Sequence, residues 1–255
     1  MITALIQARI GSTRLPRKIL LDLEGKTVLA RVIERVKASK HIDEVIIATT
    51  INKEDLTIVA LCAGLGIRVF CGSENDVLDR FYQAARLFNI DHIVRVTSDC
   101  PLVDPKIIDK VISLHLSEQS DYTTNTLKET YPDGQDVEIF TFEALKKAWL
   151  QATLASEREH LTSYIRKNPE IFKHKNLENK ENLHKKRWTL DEPEDFEFIK
   201  TIYEGLYYQN PLFGMNEILE LVNANPAIEK INHHITRNEG YLKSLRKDKV
   251  LDLPK

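Results

Sequence analysis

The sequence predicts an α/β protein built on a doubly wound, mostly parallel sheet with helices on both faces. Three observations carry this. Short runs rich in Val and Ile alternate four times with helical patterns up to Leu116. Each run is apolar at consecutive rather than alternate positions, as strands covered on both faces are. The length of 255 residues, 42% of them hydrophobic, is enough for one sizeable core.

Ile2–Ala8 reads as the first strand. Thr27–Lys40 places Val28, Leu29, Val32, Ile33 and Val36 at helical spacing behind a Thr27 cap. Asp43–Thr50 is a β-branched strand, Asn52–Gly66 a capped helix that ends in glycine, and Ile67–Gly72 a strand. Glu74–Phe88 is a helix and Asp91–Asp99 a strand. Asp104–Leu116 is a helix with Pro105 in its first turn. Then the rhythm breaks. Ser120–Asn125 and Gln135–Phe142 read as strands flanking the turn YPDG, Phe142–Ala152 and Ser156–Asn168 as helices, and His174–Lys186 as a polar loop. Arg187–Leu190 reads as a short strand and Glu192–Tyr207 as a helix. Residues 1–236 are expected to form a single domain, with 121–186 a subregion for acceptor or dimer contacts and 237–255 a charged tail.

The formal net charge of −2 gives no global basic excess, so neither nucleic acid nor an anionic membrane is an expected partner. Cys62, Cys71 and Cys100 are odd in number and lack CxxC spacing, which argues against a disulfide framework or a zinc site and for a reducing cytoplasm. No secretory leader pattern or membrane-length apolar run is visible.

Against this mild acidity, Arg9, Arg14, Arg17 and Lys18 fall within ten residues directly after the first strand. Gly11, Ser12 and Thr13 between them form a small-residue turn whose N–H groups can approach an anion, with the flanking cations supplying charge-assisted bonds. In open α/β sheets ligands bind beyond the carboxyl ends of strands, so a triphosphate is favoured over a solvated basic loop. The segment is neither a Walker A loop nor GxGxxG. Asp99 follows the fourth strand, and Asp191 follows the Arg187–Leu190 run. If these two runs are neighbours, the carboxylates flank one site, repel each other, and need a cation between them, for which Mg2+ with substrate phosphates is the expectation. Glu194 and Asp195 fall in a first helical turn, where the helix dipole explains them. Gln135, Asp136 and Glu138, alternating with Val137 and Ile139, and Glu159 with His160 at a helical start, are polar groups beside apolar periodic ones.

At this point several blocks become recognisable together. IQARIGSTRLPRKIL, SDCPLVDP and LDEPEDF resemble, in order, motifs of the CMP-sugar-acid synthetases. GSENDVLDRFYQAA, DGQDVEIFTFEAL and SEREHLTSYI resemble blocks of the SpsF branch, the spore coat polysaccharide cytidylyltransferase-like proteins; the resemblance runs from about Ile2 to Ile199. It implies a nucleotide-diphospho-sugar transferase (Rossmann-like) fold, transfer of CMP from CTP with release of pyrophosphate, and a homodimer. It implies that Arg9, Arg14 and Lys18 contact the triphosphate, that Asp99 and Asp191 hold Mg2+, and that the backbone near Ala8 and the side chain of Arg80 meet the nucleotide. Arg17 is a departure, because relatives usually have glycine there. The resulting expectation is a Mg2+-dependent cytidylyltransferase acting on a small acidic sugar-like acceptor for a surface polysaccharide, with Gln135, Asp136, Glu138, Glu159 and His160 forming the acceptor pocket. The alternatives are another nucleotide, a phosphorylated acceptor, or a nucleotide-sugar-dependent glycosyltransferase, which normally needs a DxD that is not found well placed here.

Overall fold

In a computed structural model that describes residues 1–237 and 248–251, the apolar runs become the parallel half of one sheet. Chain order gives β1 (Ile2–Gln7), a small hairpin of β2 (Asp22–Leu23) and β3 (Lys26–Thr27), then α1 (Val28–Lys37), β4 (Glu44–Thr50), α2 (Leu56–Gly64), β5 (Arg68–Gly72), α3 (Val77–Leu87), β6 (His92–Thr97) and α4 (Pro105–Glu118). There follow β7 (Tyr122–Thr124), β8 (Glu138–Thr141), α5 (Phe142–Gln151), α6 (Ala155–Glu159), α7 (Ser163–Lys167), β9 (His174–Asn176), α8 (Pro193–Leu206), α9 (Met215–Ala224) and α10 (Pro226–Glu229).

The sheet order is β5-β4-β1-β6-β8-β7-β9. The first four strands are parallel. β8 runs antiparallel to both β6 and β7, with Glu138 opposite Arg95. The sheet is therefore doubly wound and mostly parallel, as its continuous apolar strands predict. Ile6, Leu29, Val32, Ile47, Ile58 and Val111 fill one face, and Leu5, Ile46, Phe81, Ala85, Phe140 and Leu145 the other. A third cluster, with Trp188, Leu190, Phe198, Ile202 and Phe213, lies under α8 and α9. None of the helices among the described residues is long and apolar enough to cross a membrane.

Local chemistry accounts for most boundaries. The Thr27 hydroxyl accepts the Ala30 N–H at 3.2 Å, and Asp104 caps α4 ahead of Pro105. Four expectations are corrected. The helix expected from Asn52 begins as a 3-10 turn, Lys53–Asp55, and becomes α-helical only at Leu56. Ser156–Asn168 is two short helices, because the chain turns out of helical geometry at His160 (φ −101°, ψ 88°) and buries Leu161 completely. The first residues of the expected polar loop form β9, a short polar edge strand beside β7. Arg187–Leu190 is not a strand: it makes a single bridge, Asp133 to Arg187. Backbone bonds from Trp188 N to Asp133 O (2.7 Å) and from Leu190 N to Asp99 O (2.9 Å) still hold it extended beside the end of β6. Gly134 permits this approach. Its φ is +101°, and a Cβ there would stand 2.5 Å from the Trp188 carbonyl carbon. Of the expected tail, Arg237 pairs with Asp136 at 2.9 Å and residues 248–251 lie along residues 153–156; the remainder falls outside the described residues.

Candidate active site

The strand order reverses beside β1, with β4 on one flank and β6 on the other, and a cavity of about 670 Å³ opens at the carboxyl ends of these strands. This is where an open α/β sheet places its ligand. One wall is the loop after β1: Ala8, Arg9, Gly11, Ser12, Thr13, Arg14 and Lys18. The loop is pinned from below by the Asp55 carboxylate, which accepts the Ile10 N–H at 2.7 Å and the Thr50 hydroxyl.

At the inner end of the loop lies an ionic cluster. The Lys18 ammonium donates to Asp99 Oδ2 (2.7 Å), Asp191 Oδ1 (2.9 Å) and the Leu190 carbonyl (2.7 Å), which engages all three of its N–H groups. Arg14 reaches Asp191 at 2.8 Å and Glu192 at 3.3 Å. Burial pulls the Lys18 pKa down, but Asp99 and Asp191 more than offset it and leave it raised. Burial likewise pushes Asp99 up, and the adjacent Lys18 outweighs that and holds it at about 2. Asp99 and Asp191 thus do flank one site, as their places after strand-like runs predict, and the cation standing between them is Lys18.

Asp191 is set by the start of α8. Asp195 is fully buried. It accepts the N–H groups of Asp191 and Glu192 at 2.9 Å each, and it pairs with both arms of Arg187 at 2.8 Å. The helix dipole therefore explains only part of Asp195, which is the residue that shapes the Asp191 turn.

On the opposite wall, Arg80 is buried beneath Gly72, donates to the Ser73 carbonyl at 3.0 Å, and lines the cavity. Burial, then the neighbouring Arg9, lowers its pKa to about 10, and its Nε has no hydrogen-bond partner among the described residues. Two arginines held this close favour an anion between or beside them. Glu74 and Asn75 complete that wall. Arg95 and Thr97 from β6, with Ser98 just after it, form the floor, and Glu159, His160, Lys249 and Leu251 close the remaining side.

Comparisons with known proteins decide the family. A family model described as cytidylyltransferase matches residues 3–218. The chain belongs to the cytidylyltransferase family. It is 36% identical over 228 residues to the spore coat polysaccharide biosynthesis protein SpsF of Bacillus subtilis, covering 87% of this chain and 94% of that protein. It is 42% identical to an uncharacterized protein of Methanocaldococcus jannaschii, covering 94% and 97%. A solved cytidylyltransferase from Leptospira borgpetersenii superposes with a TM-score of 0.86 at 38% identity, covering 92% of this chain and 99% of that one.

As a member of the cytidylyltransferase family, the chain brings Ala8, Arg9, Gly11, Ser12, Thr13, Arg14, Lys18, Arg80, Asp99, Asp191, Glu159 and His160 to one cavity. Gln135, Asp136 and Glu138 are not among the residues that line it. Gln135 is fully buried, accepts the Asp104 N–H at 2.8 Å and donates to the Leu102 carbonyl at 2.6 Å, which fixes the chain just after Asp99. Asp136 is paired with Arg237, and burial raises its pKa. Glu138 accepts from Arg95, Tyr122 and Thr162. Glu138 begins β8, Gln135 and Asp136 precede it, and all three meet protein partners. Arg17 is exposed and lies in left-handed geometry (φ 58°). Glycine suits that position for backbone reasons. Sequence reasoning missed Arg95 and Lys249. The available signal for Arg95 was a charge inside an otherwise apolar strand; Lys249 offered none.

Proposed function

We propose that this protein transfers CMP from CTP to a small acidic sugar-like acceptor and releases pyrophosphate, for the synthesis of a surface polysaccharide. The observation that carries the reading is the juxtaposition of a cationic small-residue loop with the Lys18–Asp99–Asp191 cluster at the switch point of the sheet. The family description and the B. subtilis relative support cytidylyl transfer and a polysaccharide product.

In this reading the loop N–H groups, Arg9 and Arg14 bind the triphosphate, and Lys18 contacts it by exchanging one of its three present partners, Asp99, Asp191 or the Leu190 carbonyl. Arg14 and Lys18 take up the charge that builds on the leaving pyrophosphate, and Arg80 meets the nucleotide from the opposite wall. The reaction needs positioning and charge neutralisation more than covalent catalysis. Asp99 and Asp191 fit a magnesium ion. Both are hard oxygen donors within reach of a single ammonium, and one or two carboxylates plus substrate phosphates is a set Mg2+ accepts. Bound there, the ion would supply charge neutralisation at the α-phosphate. Asp195 and Arg187 keep Asp191 aimed, and the acceptor approaches from the side of Glu159 and His160.

The test is a nucleotide panel with pyrophosphate release as readout, with Asp99→Asn and Asp191→Asn alongside. CTP is expected to outperform ATP, GTP and UTP. Each substitution is expected to cost about 100-fold or more in turnover, the scale of a lost electrostatic contact in a transition state. Preference for a purine nucleotide, or full activity in either variant, would reject the reading.

A further inference from the structure

We infer that residues Asp248–Leu251 complete the acceptor side of the cavity, and that Lys249, together with Arg95, receives an oxyanion of the acceptor. The inference rests on the cytidylyl-transfer reading and assigns its acceptor contacts.

The segment is seated by backbone as well as side-chain bonds. Ala155 N donates to Lys249 O at 2.9 Å and Leu251 N to Thr153 O at 2.8 Å, with a single antiparallel bridge between Leu154 and Val250. The Asp248 carboxylate accepts the N–H of Ser156 at 2.9 Å and its hydroxyl at 2.6 Å. In an extended chain alternate side chains share a face. Lys249 and Leu251 both line the cavity, while Val250 between them is 74% exposed. The pairing therefore places Lys249 at the rim of the cavity, on the side of Leu251 and still exposed to solvent. It also ties the segment to the start of α6, the helix that ends at Glu159 and His160.

Arg95 reaches the same space from the floor. Its Nε and Nη2 donate to Gln7 Oε1 at 3.2 Å each and its Nη1 to Glu138, whose carboxylate also accepts from Tyr122 and Thr162. These bonds lock the guanidinium but do not use all five of its N–H donors. The Lys249 ammonium has no ion-pair partner among the described residues. Arg95, Ala155, Glu159, His160, Lys249 and Leu251 all line this one cavity, so floor, helix and segment meet there. A fixed guanidinium and a lysine facing one cavity suit a carboxylate or a phosphate.

The experiment compares the unaltered protein with Lys249→Ala, Lys249→Glu, Lys249→Arg and a chain ending at residue 247. Pyrophosphate release is measured from CTP with a panel of 2-keto sugar acids and sugar phosphates. Whichever class is turned over identifies the oxyanion as carboxylate or phosphate. Lys249→Ala is expected to raise the acceptor KM about tenfold with CTP affinity unchanged, Lys249→Glu and the shortened chain to raise it further, and Lys249→Arg to stay near the unaltered protein. In a second measurement, protein saturated with α,β-methylene CTP is titrated calorimetrically with inorganic phosphate. The unaltered protein is expected to bind it and Lys249→Glu to lose it. Equal phosphate binding by both, or a fall in CTP affinity matching the acceptor effect, would overturn the assignment. If CTP yields no pyrophosphate with any acceptor, the transfer reading fails, and the phosphate titration still decides the role of Lys249.

Discussion

The two halves of the sheet use polar residues in opposite ways. In the parallel half, the chain leaves β1 and β6 into Arg9, Arg14, Lys18, Thr97, Ser98 and Asp99, all lining the cavity. In and behind the antiparallel half the polar groups are buried and bonded within the protein: Gln135 to the backbone of Asp104 and Leu102, Glu138 to the side chains of Arg95, Tyr122 and Thr162, and His115 to Thr123. Parallel strands all point their carboxyl ends at one edge, so the residues that follow them gather there. β8 runs the other way: its Glu138 holds Arg95 of β6, and Gln135, just before β8, holds the loop after β6. Chain direction thus decides which polar residues face the cavity and which face the protein.

Removing the central charge of the parallel half should have the largest effect. Lys18→Met leaves Asp99 and Asp191 facing each other without their ammonium. Turnover is expected to fall by about 100-fold or more and unfolding free energy by about 1–3 kcal/mol. Retained CTP-dependent pyrophosphate release would erase the distinction between the halves. Asp99→Asn, for its part, should lower stability rather than raise it, because the carboxylate is held at about 2 by Lys18 and its ion pair is lost.

On the antiparallel side, the effect should appear in stability against pH and leave activity alone. Burial, then His92, pushes the imidazole of His115 down to about 4. Between pH 6.5 and 4 the unfolded chain takes up a proton that the folded chain refuses. Stability therefore falls with acid, by about 3 kcal/mol once pH 4 is passed. In His115→Gln that increment should be missing from the difference between denaturant titrations at pH 7 and pH 4.5. An unchanged pH slope would mean that His115 titrates normally.

Gln135→Ala is expected to cost about 2 kcal/mol in denaturant unfolding, since the Asp104 N–H and the Leu102 carbonyl lose a buried partner. The acceptor KM should stay put; a selective rise would return Gln135 to the acceptor pocket. The smallest effect belongs to Arg17→Gly. Relief of the left-handed backbone is largely offset by the greater freedom of an unfolded glycine, for a net gain below about 1 kcal/mol. CTP affinity should not change, because the side chain is exposed; a changed affinity would make Arg17 part of the phosphate wall.

The legible parts of the site were those carried by contiguous sequence or by strand ends. The cationic loop is continuous from Arg9 to Lys18, and Asp99 and Asp191 each follow a strand-like run. That Arg187–Leu190 is held by two backbone bonds instead of a ladder did not disturb the inference, because an extended segment delivers Asp191 to the same place. The role of Lys18 as counter-ion to both carboxylates needed three dimensions, as did Arg95, whose cavity exposure depends on β8 flanking β6. Gln135 and Glu138 were read as ligand contacts because a polar residue in a strand looks the same whether its partner is a substrate or a neighbouring carbonyl. Lys249 was illegible: a lone lysine in a tail without periodicity gives no hint that residues 248–251 pair with residues 153–156.

Lys18 and its two counter-ions also impose an order on synthesis. Asp99 is 81 residues downstream of Lys18 and Asp191 is 173. The strands β1, β4, β5 and β6 have all emerged from a ribosome long before Asp191 has, so a growing chain can complete the middle of its sheet while the loop still lacks one of the charges that hold it. The loop after β1 is therefore expected to acquire its final shape late, once Asp191 has joined Lys18. A chain interrupted between Asp99 and Asp191 should retain sheet structure yet present Arg14 and Lys18 as an open cationic surface, prone to capture any polyanion in its surroundings.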